Sequence, residues 1–63
     1  MSIKQGDYLK ELRVKNGLSQ EKLAEQLGVS RQSVSKWERG EGLPDVYILA
    51  QIAQLYGITV SNL

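Results

Sequence analysis

The stretch Leu18-Ser19-Gln20-Glu21-Lys22-Leu23-Ala24-Glu25-Gln26-Leu27-Gly28-Val29-Ser30-Arg31-Gln32-Ser33-Val34-Ser35-Lys36-Trp37-Glu38-Arg39-Gly40 decides how this chain folds. Ser19 and Ser30 each precede a segment whose apolar residues recur at three- and four-residue spacing. A serine hydroxyl in that place accepts from backbone N–H groups that the first turn of a helix leaves unpaired. Gly28 and Gly40 follow the same segments, where glycine takes the left-handed conformation that stops a helix. The spacing predicts helices over Gln20–Leu27 and Arg31–Arg39, joined through Gly28-Val29-Ser30.

The same punctuation extends outward. Gly17 and Gly57 close two further helical segments, and Asp45 (after Pro44) and Thr59 (after Ile58) are good caps for the helices that begin beyond them. Five helices result, at about residues 6–16, 20–27, 31–39, 46–56 and 60–63. Tyr8, Leu9 and Leu12, then Leu23, Ala24 and Leu27, then Val34 and Trp37, then Val46, Leu49, Ile52, Ala53 and Tyr56 supply one contiguous core. No segment shows the alternation of a β-strand. The expected fold is all-α: a compact five-helix bundle with a short last helix, forming a single domain over residues 1–63.

Composition narrows the function. A chain of 63 residues supports one small core. With no cysteine it has no disulfide, thiol nucleophile or zinc-thiolate site, and with no histidine it lacks the commonest general base and metal ligand. The carboxylates Asp7, Glu11, Glu21, Glu25, Glu38, Glu41 and Asp45 show no metal-ligand or acid–base pairing beside a nucleophile. An enzyme, a cofactor and a metal are therefore not expected. No apolar run approaches the roughly 20 residues that span a bilayer, and no signal peptide is visible, so a cytoplasmic location is expected. The net charge of +1 and pI of about 8.0 fall below the pI of about 9 that flags a nucleic-acid binder by charge alone. That charge is unevenly spread. Residues 1–29 hold five cations and four acids, residues 43–63 only Asp45, and residues 30–37 two cations with no acid.

The third helix is unlike the others. At 100° per residue Val34 and Trp37 fall about 60° apart with Glu38 beside them, a thin apolar seam. The opposite sector carries Gln32, Ser35, Lys36 and Arg39, flanked by Arg31 and Ser33. One reading is a solvated face on a minor helix. The other is a helix that reads DNA, since arginine and lysine donate to guanine O6 and N7 and glutamine pairs with adenine N6 and N7. A glycine-containing three-residue turn between two short helices is the geometry of a helix-turn-helix, which favours the second reading. Trp37 shares the Val34 seam and is expected in the core rather than stacked on a base.

From about residue 5 to 63 the chain closely resembles the Cro/Xre-type, lambda-repressor-like helix-turn-helix domains. The resemblance rests on Leu18 to Gly40, on Leu9, Leu12 and Arg13 upstream, and on Pro44-Asp45 and Ile52-Ala53-Gln54-Leu55-Tyr56-Gly57-Ile58 downstream. It implies that Arg31, Gln32, Ser33 and Lys36 face the major groove and read bases. It implies phosphate contacts from Gln20, Ser30 and Arg39, which set register and affinity. It also implies a partly buried ion pair between Arg13 and Glu38; the alternative is two unrelated surface charges. If that pair orients the recognition helix, Glu38→Gln weakens DNA binding more than it lowers thermal stability.

The function expected is sequence-specific binding of double-stranded DNA by a prokaryotic or phage-type transcriptional regulator, foremost a repressor. It would act as a homodimer on a pseudo-palindromic operator with half-sites about 34 Å apart. Leu43, Val60 and Leu63 are candidate dimer contacts, with core packing as the alternative for the leucines. A helical protein–protein module, or an antitoxin-like part of a larger regulator, is the competing function. The last helix of the family usually continues beyond the position of Leu63, so the chain is either a minimal form or one without a C-terminal effector or dimerisation region.

Overall fold

The computed structural model describes residues 2–58, with side chains described from residue 6 onward. Four helices run through them: α1 (Ser2–Lys15), α2 (Gln20–Leu27), α3 (Arg31–Glu38) and α4 (Val46–Tyr56). No strand occurs among the described residues. α1 and α2 both pack on α3, and α2 also packs on α4. The architecture is all-helical, with four helices among the described residues rather than five. The short helix expected at 60–63 lies outside them.

Helix starts are set by single side chains. Ser19 Oγ accepts from the Lys22 N–H at 3.0 Å, Ser30 Oγ from the Ser33 N–H at 3.1 Å, and Asp45 Oδ1 from the Ile48 N–H at 2.9 Å. Each cap satisfies a donor with no partner inside its helix and is worth about 1 kcal/mol. Helix stops are equally local. After α2, Gly28 at φ 72° donates to Glu25 O, and Val29 reaches back to donate to Ala24 O at 3.0 Å. This paired closure needs the left-handed residue that glycine provides without strain. The same two bonds close α1, α3 and α4, with Leu18, Glu41 and Ile58 standing where Val29 stands.

Leu9, Leu23, Ala24, Leu27, Val34 and Ile52 form one buried cluster, with Val34 and Ile52 each only 1% exposed. Complete burial of such a side chain is worth about 1.5–3 kcal/mol. Leu18, Val29, Trp37, Ile48 and Tyr56 close around it. Trp37 thus packs inward, on the side of α3 that also buries Val34.

The sequence reading differs from the structure at three places. α1 runs Ser2–Lys15 rather than from Gly6 to Asn16. Glycine is a poor helix former, which favours a boundary there. Yet Gly6 lies inside α1, because α1 crosses the end of α3 at very short range. A Cβ at residue 6 would stand 2.7 Å from Trp37 O and 2.9 Å from Glu38 O. α3 ends at Glu38 rather than Arg39, whose φ of −87° and ψ of −1° make it the half-helical cap; such one-residue differences are ordinary at helix ends. Val46, expected in the core, is 73% exposed. It occupies the first turn of α4, and apolar spacing gives the side of a helix that faces a neighbour, not how far along the axis the neighbour extends.

Candidate nucleic-acid interface

Burial of Val34 turns the opposite side of α3 outward. There Arg31, Gln32, Ser35, Lys36 and Arg39 line one shallow groove. They form two adjacent rows, 31-35-39 and 32-36, at the four-residue spacing that brings helical side chains together. Arg31, Gln32 and Lys36 are exposed. Ser33, expected to read bases, is half-buried and does not line the groove. Its hydroxyl lies 3.0 Å from Ser30 Oγ and its N–H donates to the same oxygen, so both serines take part in capping α3. The Ser30 hydroxyl stays exposed at the helix N-terminus, where unpaired N–H groups favour an anion.

Behind this face lies a polar cluster joining three helices. Arg13 Nε donates to Glu38 Oε2 at 2.7 Å and Arg13 Nη2 to Glu38 Oε1 at 3.1 Å, while Nη1 donates to Leu18 O at 2.7 Å. Their side chains are only 10% and 4% exposed. The bond to Glu38 outweighs burial and holds the Arg13 guanidinium above its ordinary, already high, pKa. Gln20, the first residue of α2, donates through Nε2 to Glu38 Oε1 at 3.0 Å. Its Oε1 faces outward and accepts from Arg31 Nη1 at 3.4 Å. Gln20 therefore bridges the buried ion pair and the first residue of the outward face, and its amide is fixed at both ends. Two carboxylate oxygens and one backbone carbonyl thus accept from all three guanidinium nitrogens of the buried Arg13.

At the other end of the face, Arg39 meets Glu41 side on. Nε lies 3.0 Å from Oε2 and Nη2 3.1 Å from Oε1, and Nη1 donates to Ser35 Oγ. The hydrogen bond and charge of Arg39, with a smaller contribution from Lys36, hold the Glu41 carboxyl below the ordinary carboxylate value; Arg39 is raised by the same bond. Sequence reasoning passed over Ser35 and Glu41 as site residues. The wheel already put Ser35 in the polar sector, but Glu41 lies past the helix end, and only the closure at Gly40 brings it back under Arg39.

Of the candidate dimer contacts, Leu43 is 59% exposed, near Val46 and Tyr47 at 73% and 81%. Val60 and Leu63 lie outside the described residues. Among the described residues no helix is long and apolar enough to cross a membrane.

Comparison with known proteins points the same way as this geometry. A helix-turn-helix family model matches residues 9–63. The HTH-type transcriptional activator BcrR of Enterococcus faecalis is 46% identical over 57 residues, covering 90% of this chain but 28% of BcrR. The crystal structure of the restriction-modification controller protein C.AhdI from Aeromonas hydrophila superposes with a TM-score of 0.83 at 36% identity, covering 94% of this chain and 86% of that one. The fold also occurs within an enzyme: hydroxypropylphosphonic acid epoxidase from S. wedmorenis matches at TM-score 0.83 and 30% identity, over 95% of this chain and 32% of the epoxidase. The chain thus spans under a third of BcrR and of the epoxidase, and most of C.AhdI.

Proposed function

The chain belongs to the Cro/Xre-type helix-turn-helix family, and on that premise we propose that it binds double-stranded DNA in a sequence-specific manner, with α3 in the major groove. One observation carries this reading: five hydrogen-bonding side chains, three of them cationic, line a single groove on the outer face of α3 while Val34 anchors the helix from behind. Arg31, Gln32 and Lys36 read base edges, and Ser33 supports them from the cap. Gln20, Ser30 and Arg39 flank them toward the phosphates, with the backbone N–H groups at the starts of α2 and α3 adding to the attraction.

The chain acts as a homodimer on a pseudo-palindromic operator. A single face of this size makes few base contacts, and two-fold symmetry doubles them. The exposed Leu43, Val46 and Tyr47 support a dimer surface, to which Val60 and Leu63 would add. Bound at a promoter, such a dimer represses by occupying the site, which asks no further contact of it. Activation is the second reading, favoured by the name of the BcrR relative. No catalytic step is assigned to this chain. The deciding experiment is selection of bound sequences from a random DNA pool. Enrichment of an inverted repeat with half-sites about one helical turn apart supports the proposal; recovery of unenriched sequence overturns it. In vitro transcription from a promoter carrying the selected site then separates repression from activation.

A further inference from the structure

We infer that Glu41 is a specificity-determining positioning residue: it holds the Arg39 guanidinium along the reading face and keeps it from seeking DNA phosphates indiscriminately. The inference rests on the DNA-binding reading above and concerns the same face. Three observations converge on it. All three guanidinium nitrogens of Arg39 are engaged within the protein, two by Glu41 and one by Ser35. The carboxylate is placed by the backbone rather than by chance, because the Glu41 N–H is fixed to Lys36 O at 2.9 Å by the closure after α3. The three other helices end in the same closure with an apolar Leu18, Val29 or Ile58 at this position; α3 alone puts an acid there, beside its outward face.

The consequence for binding is electrostatic. Non-specific affinity comes almost wholly from cations that neutralise phosphates and release counterions. A cation paired with a carboxylate contributes little to that attraction until the pair is broken. Glu41 also lies close enough to Lys36 for the two charges to feel each other, so it offsets part of the positive charge of the groove. On the operator, base contacts from Arg31, Gln32 and Lys36 already fix the register of α3, so a released Arg39 has little freedom to add a phosphate contact. On random DNA no register is fixed, and a released Arg39 adds one wherever a phosphate is in reach. Glu41 thereby lowers binding to wrong DNA more than to the operator, which is how a repulsive element gives specificity.

The test is a double-mutant cycle on the full chain, read by fluorescence anisotropy with a short duplex of random sequence between about 50 and 200 mM salt. Glu41→Gln is expected to tighten that binding roughly five-fold at the lower salt, the upper range for releasing an exposed pair. It should also steepen the log–log salt slope by about 0.9, one additional phosphate neutralised. Arg39→Ala flattens the slope less in the wild type, where Glu41 masks the guanidinium, than in the Glu41→Gln background, where it takes the slope back to the wild-type value. Thermal melting of Glu41→Gln matches the wild type. If the wild type binds duplex with its own salt dependence and Glu41→Gln leaves affinity and slope unchanged, the role of Glu41 is wrong while DNA binding stands. If Glu41→Gln tightens binding but Arg39→Ala flattens the slope equally in both backgrounds, the two charges act additively, the effect is bulk charge and the Arg39 clamp is overturned. If neither the wild type nor Glu41→Gln binds any duplex, the DNA reading fails and this inference falls with it.

Discussion

Arg13 and Glu38, 25 residues apart in sequence, meet through two parallel hydrogen bonds of 2.7 and 3.1 Å, with Glu38 Oε1 also accepting from Gln20. The pair ties α1 to the end of α3, and Gln20 draws in the start of α2. It is a hub for the whole motif, not a surface contact near the reading helix.

Glu38→Gln keeps the shape of the side chain and removes its charge, leaving a guanidinium only 10% exposed without a counter-charge. Breaking a buried pair from one side costs about 3–5 kcal/mol. Total stability at this chain length is of similar size. The variant is therefore expected to lose most of its resistance to urea. This moves the expected effect from binding to folding, the reverse of what the sequence suggested. Anisotropy at low temperature, with the folded fraction measured by circular dichroism, checks it: DNA binding per folded molecule should stay close to wild type.

Gly6→Ala should destabilise, although alanine is the better helix former by about 1 kcal/mol. The new methyl meets two backbone carbonyl oxygens at 2.7 and 2.9 Å, neither able to rotate away, and such overpacking costs about 1–3 kcal/mol. Gly42→Ala is the control, since nothing lies within 4 Å of its added carbon. Chemical denaturation of both variants should separate them by more than about 1 kcal/mol.

Among the described residues the buried Tyr56 hydroxyl has no hydrogen-bond partner, and burial, with Arg13 opposing and Glu38 adding, pushes its pKa above 10.0. The folded state therefore keeps this proton at a pH where the unfolded chain releases it. The associated stability is complete below about pH 10 and is lost as the pH rises through the folded value. Tyr56→Phe should flatten that alkaline fall. At neutral pH it should leave stability equal to wild type or up to about 1 kcal/mol higher, because an unpaired polar atom is removed. Urea denaturation at neutral pH and again above the tyrosine range reads both effects.

Gln32 is exposed and no hydrogen bond holds its side chain among the described residues. Gln32→Ala should leave the melting temperature unchanged, cost about 1–3 kcal/mol on the selected operator, and change binding to random DNA little. Competition anisotropy with both duplexes measures the ratio.

The helix-turn-helix segment was legible in the sequence because what makes it is local. Ser19, Ser30 and Asp45 satisfy N–H groups three residues away, and Gly28 and Gly40 close their own helices, so α2 came out with both ends right and α3 with one residue of difference. The outward set on α3 was nearly as legible, because burying Val34 and Trp37 leaves only one direction for Gln32 and Lys36. The part Ser33 takes in the cap was not legible, because a serine near a helix start has two uses, cap or contact, and its hydrogen bonds depend on where Ser30 turns.

The sequence by itself determined α2, α3 and α4 to within a residue, the caps Ser19, Ser30 and Asp45, and which face of α3 is polar. Tertiary structure alone decided that Gly6 lies within a helix, that Val46 is exposed, how deeply Arg13 and Glu38 are buried, and that Glu41 returns beneath Arg39. The physical reason is range. Hydrogen bonds within a turn are set by neighbours in the chain, whereas close approach, burial and charge pairing depend on how helices distant in sequence come to rest against one another.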